Sequence, residues 1–188
     1  MSEIPPWYPG TENKPAPMPL LRVQGFMNTL DLEDGTDLLV LPAEARDWLV
    51  DTGLLPAGAA EPTASDLDLA RSVRESIRAL AADPGDAPRV DALRQVAAAH
   101  RAQLTVANDG AVRLENPRDE DVGDALFELL LIIHGAQQDG TWSRLKVCAN
   151  PDCQWAFYDR SRNQQGNWCN MAVCGNRLKN RELRARRR

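Results

Sequence analysis

The chain has 188 residues, 43% of them hydrophobic and 26% charged, with a formal net charge of -5. That composition fits one ordinary folded domain plus a small appendage and excludes a fibrous or wholly disordered chain. No basic stretch leads into an apolar one in the first twenty residues, and the longest apolar run, "LLLIIHGA", is far below the ~20 residues that cross a bilayer, so the expectation is a cytoplasmic protein with no membrane partner.

Residues 1–20 hold six of the thirteen prolines. Proline lacks an N–H and clashes with a preceding helical turn, so this segment is expected to be a flexible Pro-rich arm. "LRVQGFMNTLDL" then enters the body as strand or helix. "PAEARDWLVDTGLLP" predicts a short helix, with Pro42 at its start and Gly53 closing it. "SDLDLARSVRESIRALAAD" predicts an amphipathic helix with Leu69, Val73, Ile77 and Leu80 on one face, opened by Ser65 and Asp68 as a capping box. A further helix over about 88–103 would carry Leu93, Val96, Ala97, His100 and Leu104 on one stripe. "LTVANDGAVRLEN" alternates around Asn-Asp-Gly and predicts a hairpin. "DEDVGDALFELLLIIHG" starts acidic, which suits the positive end of a helix, and is apolar nearly all round, so it is expected to be the buried central helix.

Composition changes near residue 143. Residues 144–188 carry 11 Lys+Arg against 3 Asp+Glu, whereas residues 1–143 carry 11 against 24. An acidic body joined to a basic tail points to a polyanion as the tail's partner. The tail also holds all four cysteines, as Cys-x4-Cys, fifteen residues, Cys-x4-Cys. Two close pairs separated by a loop have the form of a structural zinc site, with Cys148, Cys153, Cys169 and Cys174 as ligands of one Zn(2+) per chain. About 45 basic residues with few aliphatics bury too little to fold alone, and zinc ligation worth ~10–16 kcal/mol would supply what the core lacks. Disulfides conflict with a cytosolic chain, and an iron–sulfur cluster is the weaker match to two symmetric pairs. Four thiolates leave no open position for water, so catalytic zinc is not expected.

"CANPDC" reads as a turn and "QWAFYD" as a strand with Trp155 and Phe157 on one side; these two and Trp168 could stack on bases, but they are expected to form the finger's mini-core. From Met171 onward a helix is expected, with Arg177, Arg181, Arg184 and Arg188 on one face. The predicted fold class is therefore α+β: a mainly helical N-terminal body with a small β-hairpin element, then a treble-clef-like zinc finger made of a β-hairpin knuckle plus helix. The expected divisions are 1–20, 21–143 and 144–188.

The string C-x4-C-x-W-x-F-x-D-x-S-R-N … W-C-x-M-x-x-C-G-N-R-x-K resembles the CGNR zinc finger over roughly residues 145–182. "FMNTLDL", "WLVDTGLL" and "ARSVRESIRAL" resemble, in order, the ABATE domain that usually precedes it. The resemblance implies a bacterial transcription regulator of the stress response whose finger binds DNA. It also leaves room for a small-molecule ligand of the N-terminal domain and for a homodimer. Similar proteins often carry several arginines before the Trp-Cys, but here Gln164, Gln165, Gly166 and Asn167 stand there, which shifts the expected contact to the C-terminal helix. The nucleic-acid contacts expected are Arg160, Arg162, Arg177, Lys179, Arg181 and Arg184. Arg177, three residues after a ligand, could instead brace the thiolates. His100 and His134 lie on or beside apolar stripes and read as structural. No G-x-S-x-G, H-E-x-x-H, P-loop or dinucleotide fingerprint is present, so no enzyme is expected. The alternative is a zinc-stapled protein-interaction module that binds no nucleic acid.

Overall fold

The computed structural model describes residues 5–8, 14–82, 90–118 and 120–176. Its helices are α1 (Leu20–Met27), α2 (Pro42–Asp51), α3 (Ala64–Ala82), α4 (Asp91–Ala99) and α5 (Val122–Gln138). Three small antiparallel hairpins complete it: β1 (Leu30–Asp31) with β2 (Thr36–Asp37), β3 (Gln103–Val106) with β4 (Val112–Glu115), and β5 (Leu145–Val147) with β6 (Ala156–Tyr158). The fold is thus mixed α+β.

Helix α5 is the axis of the body. Ala125, Leu126 and Leu129 are fully buried, and α1, α3 and α4 pack around it. Its N-cap is Asp121, whose carboxylate accepts from the N–H of Asp124. Helix α2 starts on Pro42 and closes as a Schellman turn: Gly53 N–H donates to Val50 O and Leu54 N–H to Leu49 O. Gly53 takes φ +68°, a backbone region that a Cβ disfavours.

Several expectations are corrected. The capping box of α3 is Thr63 with Asp66, not Ser65 with Asp68: Thr63 N–H donates to Asp66 Oδ2 at 2.8 Å and Asp66 N–H to Thr63 Oγ1 at 3.3 Å. Both pairs satisfy the motif, and only the helix start chooses between them. Helix α4 ends at Ala99, so Leu104 lies on β3 and not on the helical stripe, while residues 88 and 89 lie outside the described set. The β3–β4 hairpin forms where predicted, yet its apolar face looks outward: Leu104, Val106, Val112 and Leu114 are all exposed. The described parts of the proline-rich segment pack on the body. Tyr8 and Ala16 are buried, and Trp7 meets Trp48 edge-on at 6.3 Å. Proline rules out a helix there but does not rule out docking.

Helix α3 also buries two arginines that its sequence pattern assigns to a polar face. Arg74 is 2% exposed and forms a fork on Asp37, at 2.6 and 2.9 Å, with Thr29 Oγ1 at 3.1 Å. Arg78, 5% exposed, donates to the carbonyls of Met27 and Gln154. A long guanidinium reaches across the core and satisfies carbonyls that no backbone N–H can meet.

Burial raises the Asp37 carboxyl, but hydrogen bonds from Arg74 and the Leu39 N–H, with the charges of Arg74 and Arg71, more than offset this and hold it below its ordinary value. The folded value is thus below the unfolded one. The stabilisation is complete above the unfolded carboxylate range and is lost as pH falls through the folded value. Asp37→Asn is expected to cost about 3 kcal/mol at pH 7, because it leaves the buried guanidinium with only the half-exposed Glu75 carboxylate as counter-charge. It should also flatten the fall in stability on acidification. Urea unfolding of both proteins at a series of pH values between 7 and 3 checks this, and parallel pH curves would refute it.

Candidate metal centre and its docking on the body

The strands β5 and β6 each have two working faces. Leu145 pairs with Tyr158, Lys146 with Phe157 and Val147 with Ala156. Leu145, Ala156 and Tyr158 belong to the main core, with Val147 packed against it. The other face carries Phe157, fully buried against the cysteines, with Trp155 and Trp168 beside it. Strict alternation on a short strand thus lets one hairpin complete two cores.

Cys148 leaves β5 and donates its N–H to Trp155 O, extending the ladder by one step. "CANPDC" turns as its composition predicts. Cys153 N–H and Gln154 N–H both donate to Asn150 O, and the buried Asn150 side chain points Nδ2 at Cys174 Sγ, 3.9 Å away. The loop after β6 is folded around Asp159, which accepts from Ser161 N–H and Gly166 N–H, while Ala149 N–H donates to Asn167 O. Asn170 then caps a wide helical turn, Met171–Gly175, accepting from Ala172 and Val173 N–H and so aiming Cys174 back at the knuckle. An ideal Cβ on Gly175 would lie 2.5 Å from Met171 Sδ and 3.2 Å from Trp168, so a larger residue there would have to displace both side chains.

The four sulfurs converge. All are free thiols, and they lie within 4.8 Å of one another, with Cys153–Cys169 and Cys169–Cys174 both at 3.7 Å. A disulfide would need about 2.05 Å. Tetrahedral zinc with Zn–S bonds of about 2.3 Å places its sulfurs about 3.8 Å apart, so the donor set fits that ion. The electrostatics agree. Hydrogen bonds from Cys153 and Cys169 draw the Cys148 thiol well below its ordinary value, and their bonding to Cys148 pushes Cys153 and Cys169 up. Four thiolates this close cannot all ionise unless a cation sits among them.

The body grips this unit at β6. Asn28 Oδ1 accepts from Ala156 N–H at 2.7 Å and its Nδ2 donates to Ala156 O at 2.9 Å, while Gln24 Nε2 donates to the same carbonyl at 3.1 Å. Tyr158 N–H donates to Lys14 O, and the Lys14 ammonium sits 4.7 Å from the centre of the Phe157 ring and donates to Trp168 O at 2.6 Å. Arg78 holds the carbonyl of Gln154, which has a positive φ at the end of the knuckle. Lys14, Gln24, Asn28 and Arg78 were not singled out from sequence. Asn28 and Arg78 do lie inside the strings "FMNTLDL" and "ARSVRESIRAL", the only signal that could have found them.

The cations expected to meet nucleic acid are distributed differently. Arg160 Nη2 donates to Pro15 O, with its guanidinium 5.9 Å over the Tyr158 ring, so it bridges loop and body. Arg162 is exposed and, among the described residues, makes no hydrogen bond or ion pair. Arg177, Lys179, Arg181 and Arg184, and with them the helix expected after Gly175, lie outside the described residues.

Fold and site together define a zinc-finger protein whose finger is docked on a mainly helical body. Two family models match the chain in order: ABATE, described as "Putative stress-induced transcription regulator", over residues 23–137, and the CGNR zinc finger over residues 144–187. The chain belongs to the ABATE family and ends in a CGNR zinc finger, whose cofactor is one structural zinc ion. Neither family is an enzyme family. No curated protein matches the chain. No helix among the described residues is long and apolar enough to cross a membrane.

Two separate supports hold the finger, so two perturbations should act on different amides. Chelation is expected to speed hydrogen exchange at residues 148–155 and 167–176 while β6 stays protected from the body side. Asn28→Ala, with zinc in place, leaves the buried Ala156 N–H without a partner and should cost about 2 kcal/mol, raising exchange at 156–158 first. Exchange rising across all of 145–176 under both treatments would show a single support.

Proposed function

We propose that this chain is a transcription regulator of the bacterial cytoplasm, with no catalytic activity. In this reading Cys148, Cys153, Cys169 and Cys174 hold the zinc, residues 144–188 form the DNA-binding unit, and the body of residues 21–143 senses a ligand or forms a dimer. The observation that carries it is the charge of residues 144–188, 11 Lys+Arg against 3 Asp+Glu, on a chain that is otherwise acidic. Four zinc-bound thiolates contribute about -2, so the segment remains near +6. Arg162, Arg177, Lys179, Arg181 and Arg184 are the proposed phosphate contacts. Arg160 is a lesser one, because its guanidinium is committed to Pro15.

Protein purified without added metal should hold about one zinc per chain, and Cys169→Ser should lose most of it. If roughly four to six phosphates are neutralised, duplex binding weakens with salt at a log–log slope of roughly -4 to -5. Arg181→Ala and Arg184→Ala should each keep the zinc and reduce the slope by about one unit. Fluorescence anisotropy over a salt series measures this.

The second reading, a zinc-stapled protein-interaction module, draws support from the outward apolar face of the β3–β4 hairpin, where Leu104, Val106 and Val112 are 65–72% exposed. The same face would serve a homodimer. Zinc-loaded protein that binds no duplex at low salt would favour that reading.

A further inference from the structure

His100, Asp121 and Asp124 lie where the end of α4 meets the start of α5, away from the finger. Their ligand atoms fall within 4.8 Å of one another. His100 Nδ1 is 2.8 Å from Val96 O, and a carbonyl can only accept, so Nδ1 carries the proton. In the neutral ring Nε2 then presents a bare lone pair. It faces Asp124 Oδ1 at 3.6 Å, on a side chain that is 5% exposed and whose other oxygen already accepts from Glu120 N–H. Among the described residues no hydrogen bond is donated to that Oδ1. The partly buried His100 Nε2 and the Asp124 Oδ1 thus face each other at 3.6 Å, and two acceptors so placed leave between them a gap that a cation would fill.

The spacing identifies the cation. Charge-assisted N–H···O bonds close to about 2.7–2.9 Å, well short of 3.6 Å. Two donors bound at about 2.0–2.1 Å to a tetrahedral ion stand about 3.4 Å apart, close to what is seen. Asp121 supplies a third donor: one of its oxygens takes the Asp124 N–H as the cap of α5, and the other accepts no hydrogen bond among the described residues. The surroundings hold the ring in place and leave room. Phe127 stacks on His100 at 5.2 Å and 17°, and a Cβ on Gly123 would come within 3.1 Å of both His100 Nε2 and Asp121 Oδ1. A side chain at position 123 would crowd that space. A metal-bound histidine usually donates its other N–H to a carbonyl or carboxylate, as His100 does. The two carboxylates bring a charge of -2, which outweighs the roughly +0.5 of the helix terminus.

We propose that His100, Asp121 and Asp124 form a second metal site, in the body, for a divalent first-row transition ion such as Zn(2+) or Co(2+). One imidazole and two carboxylates suit such an ion better than Ca(2+) or Mg(2+), which take oxygen ligands. The site ties the end of α4 to the start of α5, the two chain segments between which the β3–β4 hairpin is inserted. If the body is a sensor, as proposed above, this makes a metal ion its ligand. The site itself does not depend on that reading.

The test uses full-length protein already carrying its finger zinc, counted by elemental analysis. Titration with Co(2+) should take up one further ion per chain, giving weak visible d–d absorption without the intense near-ultraviolet charge-transfer band of a cobalt thiolate. His100→Gln and Asp121→Asn, the latter keeping its capping oxygen, should retain the finger zinc and the helical circular dichroism yet weaken Co(2+) binding roughly tenfold or more. The proposal is overturned by any of three results: no uptake below about 1 mM, uptake only with the thiolate band as finger zinc is displaced, or unchanged binding in both variants. The finger's zinc count is read separately, so failure here leaves the proposed function standing.

Discussion

Ala156 is the residue on which the two halves of the molecule meet. Its N–H and C=O are both taken by one side chain, Asn28, which presents an amide to β6 much as a neighbouring strand would, and Gln24 adds a second donor to the carbonyl. A three-residue strand pairing on one edge only is a weak element. The amides of α1 complete it from the other side, and the Lys14 carbonyl continues the pairing at Tyr158. Once β6 is fixed, its alternation puts Ala156 and Tyr158 in the body and Phe157 under the sulfurs. The finger's orientation then follows without a large interface of its own.

That arrangement explains what the sequence discloses and what it conceals. Periodic features are plain: α2 with Pro42 and Gly53, the apolar length of α5, the Asn-Asp-Gly hairpin, and the alternation in "QWAFYD". The four cysteines are plainer still, because spacing alone limits what they can ligate. Arg74 and Arg78 are concealed for a physical reason. A charged residue on an amphipathic helix is normally solvated, and nothing local to "ARSVRESIRAL" shows that Asp37 and the carbonyls of Met27 and Gln154 wait across the core. His100 is concealed in the same way, since its partners lie more than twenty residues further along. The proline-rich segment misleads in the opposite direction, because prolines that exclude regular structure can still hold Trp7 and Tyr8 against the core.

The finger lives under two constraints of different kinds. The sulfur side is electrostatic: crowding favours a thiolate at Cys148 and suppresses those at Cys153 and Cys169, a conflict that a divalent cation removes. The body side is packing and hydrogen bonding, which involve no metal. A finger carried on a linker would need zinc for all its order. Here the knuckle and the capped turn carry the sulfurs, while β5 and β6 draw on the core that α5 organises.

Magnitudes decide whether such docking can transmit a signal. A hydrogen bond of the Asn28 type contributes about 1 kcal/mol net, so the few made by Gln24, Asn28, Arg78 and Lys14 together contribute several. That sum is enough to keep one arrangement dominant in the free protein. A ligand binding one arrangement tenfold more tightly shifts the balance by about 1.4 kcal/mol, the size of one or two of those bonds. The route from body to finger is short: α5 packs on α1, and α1 ends in the residues that hold Ala156. A ligand acting at the start of α5 would have to favour one position of α1 over another to be felt at the finger, because equal affinity for both shifts nothing. The physical condition for regulation is therefore a two-position α1, and Asn28 is the side chain whose hydrogen bonds would report which position is held.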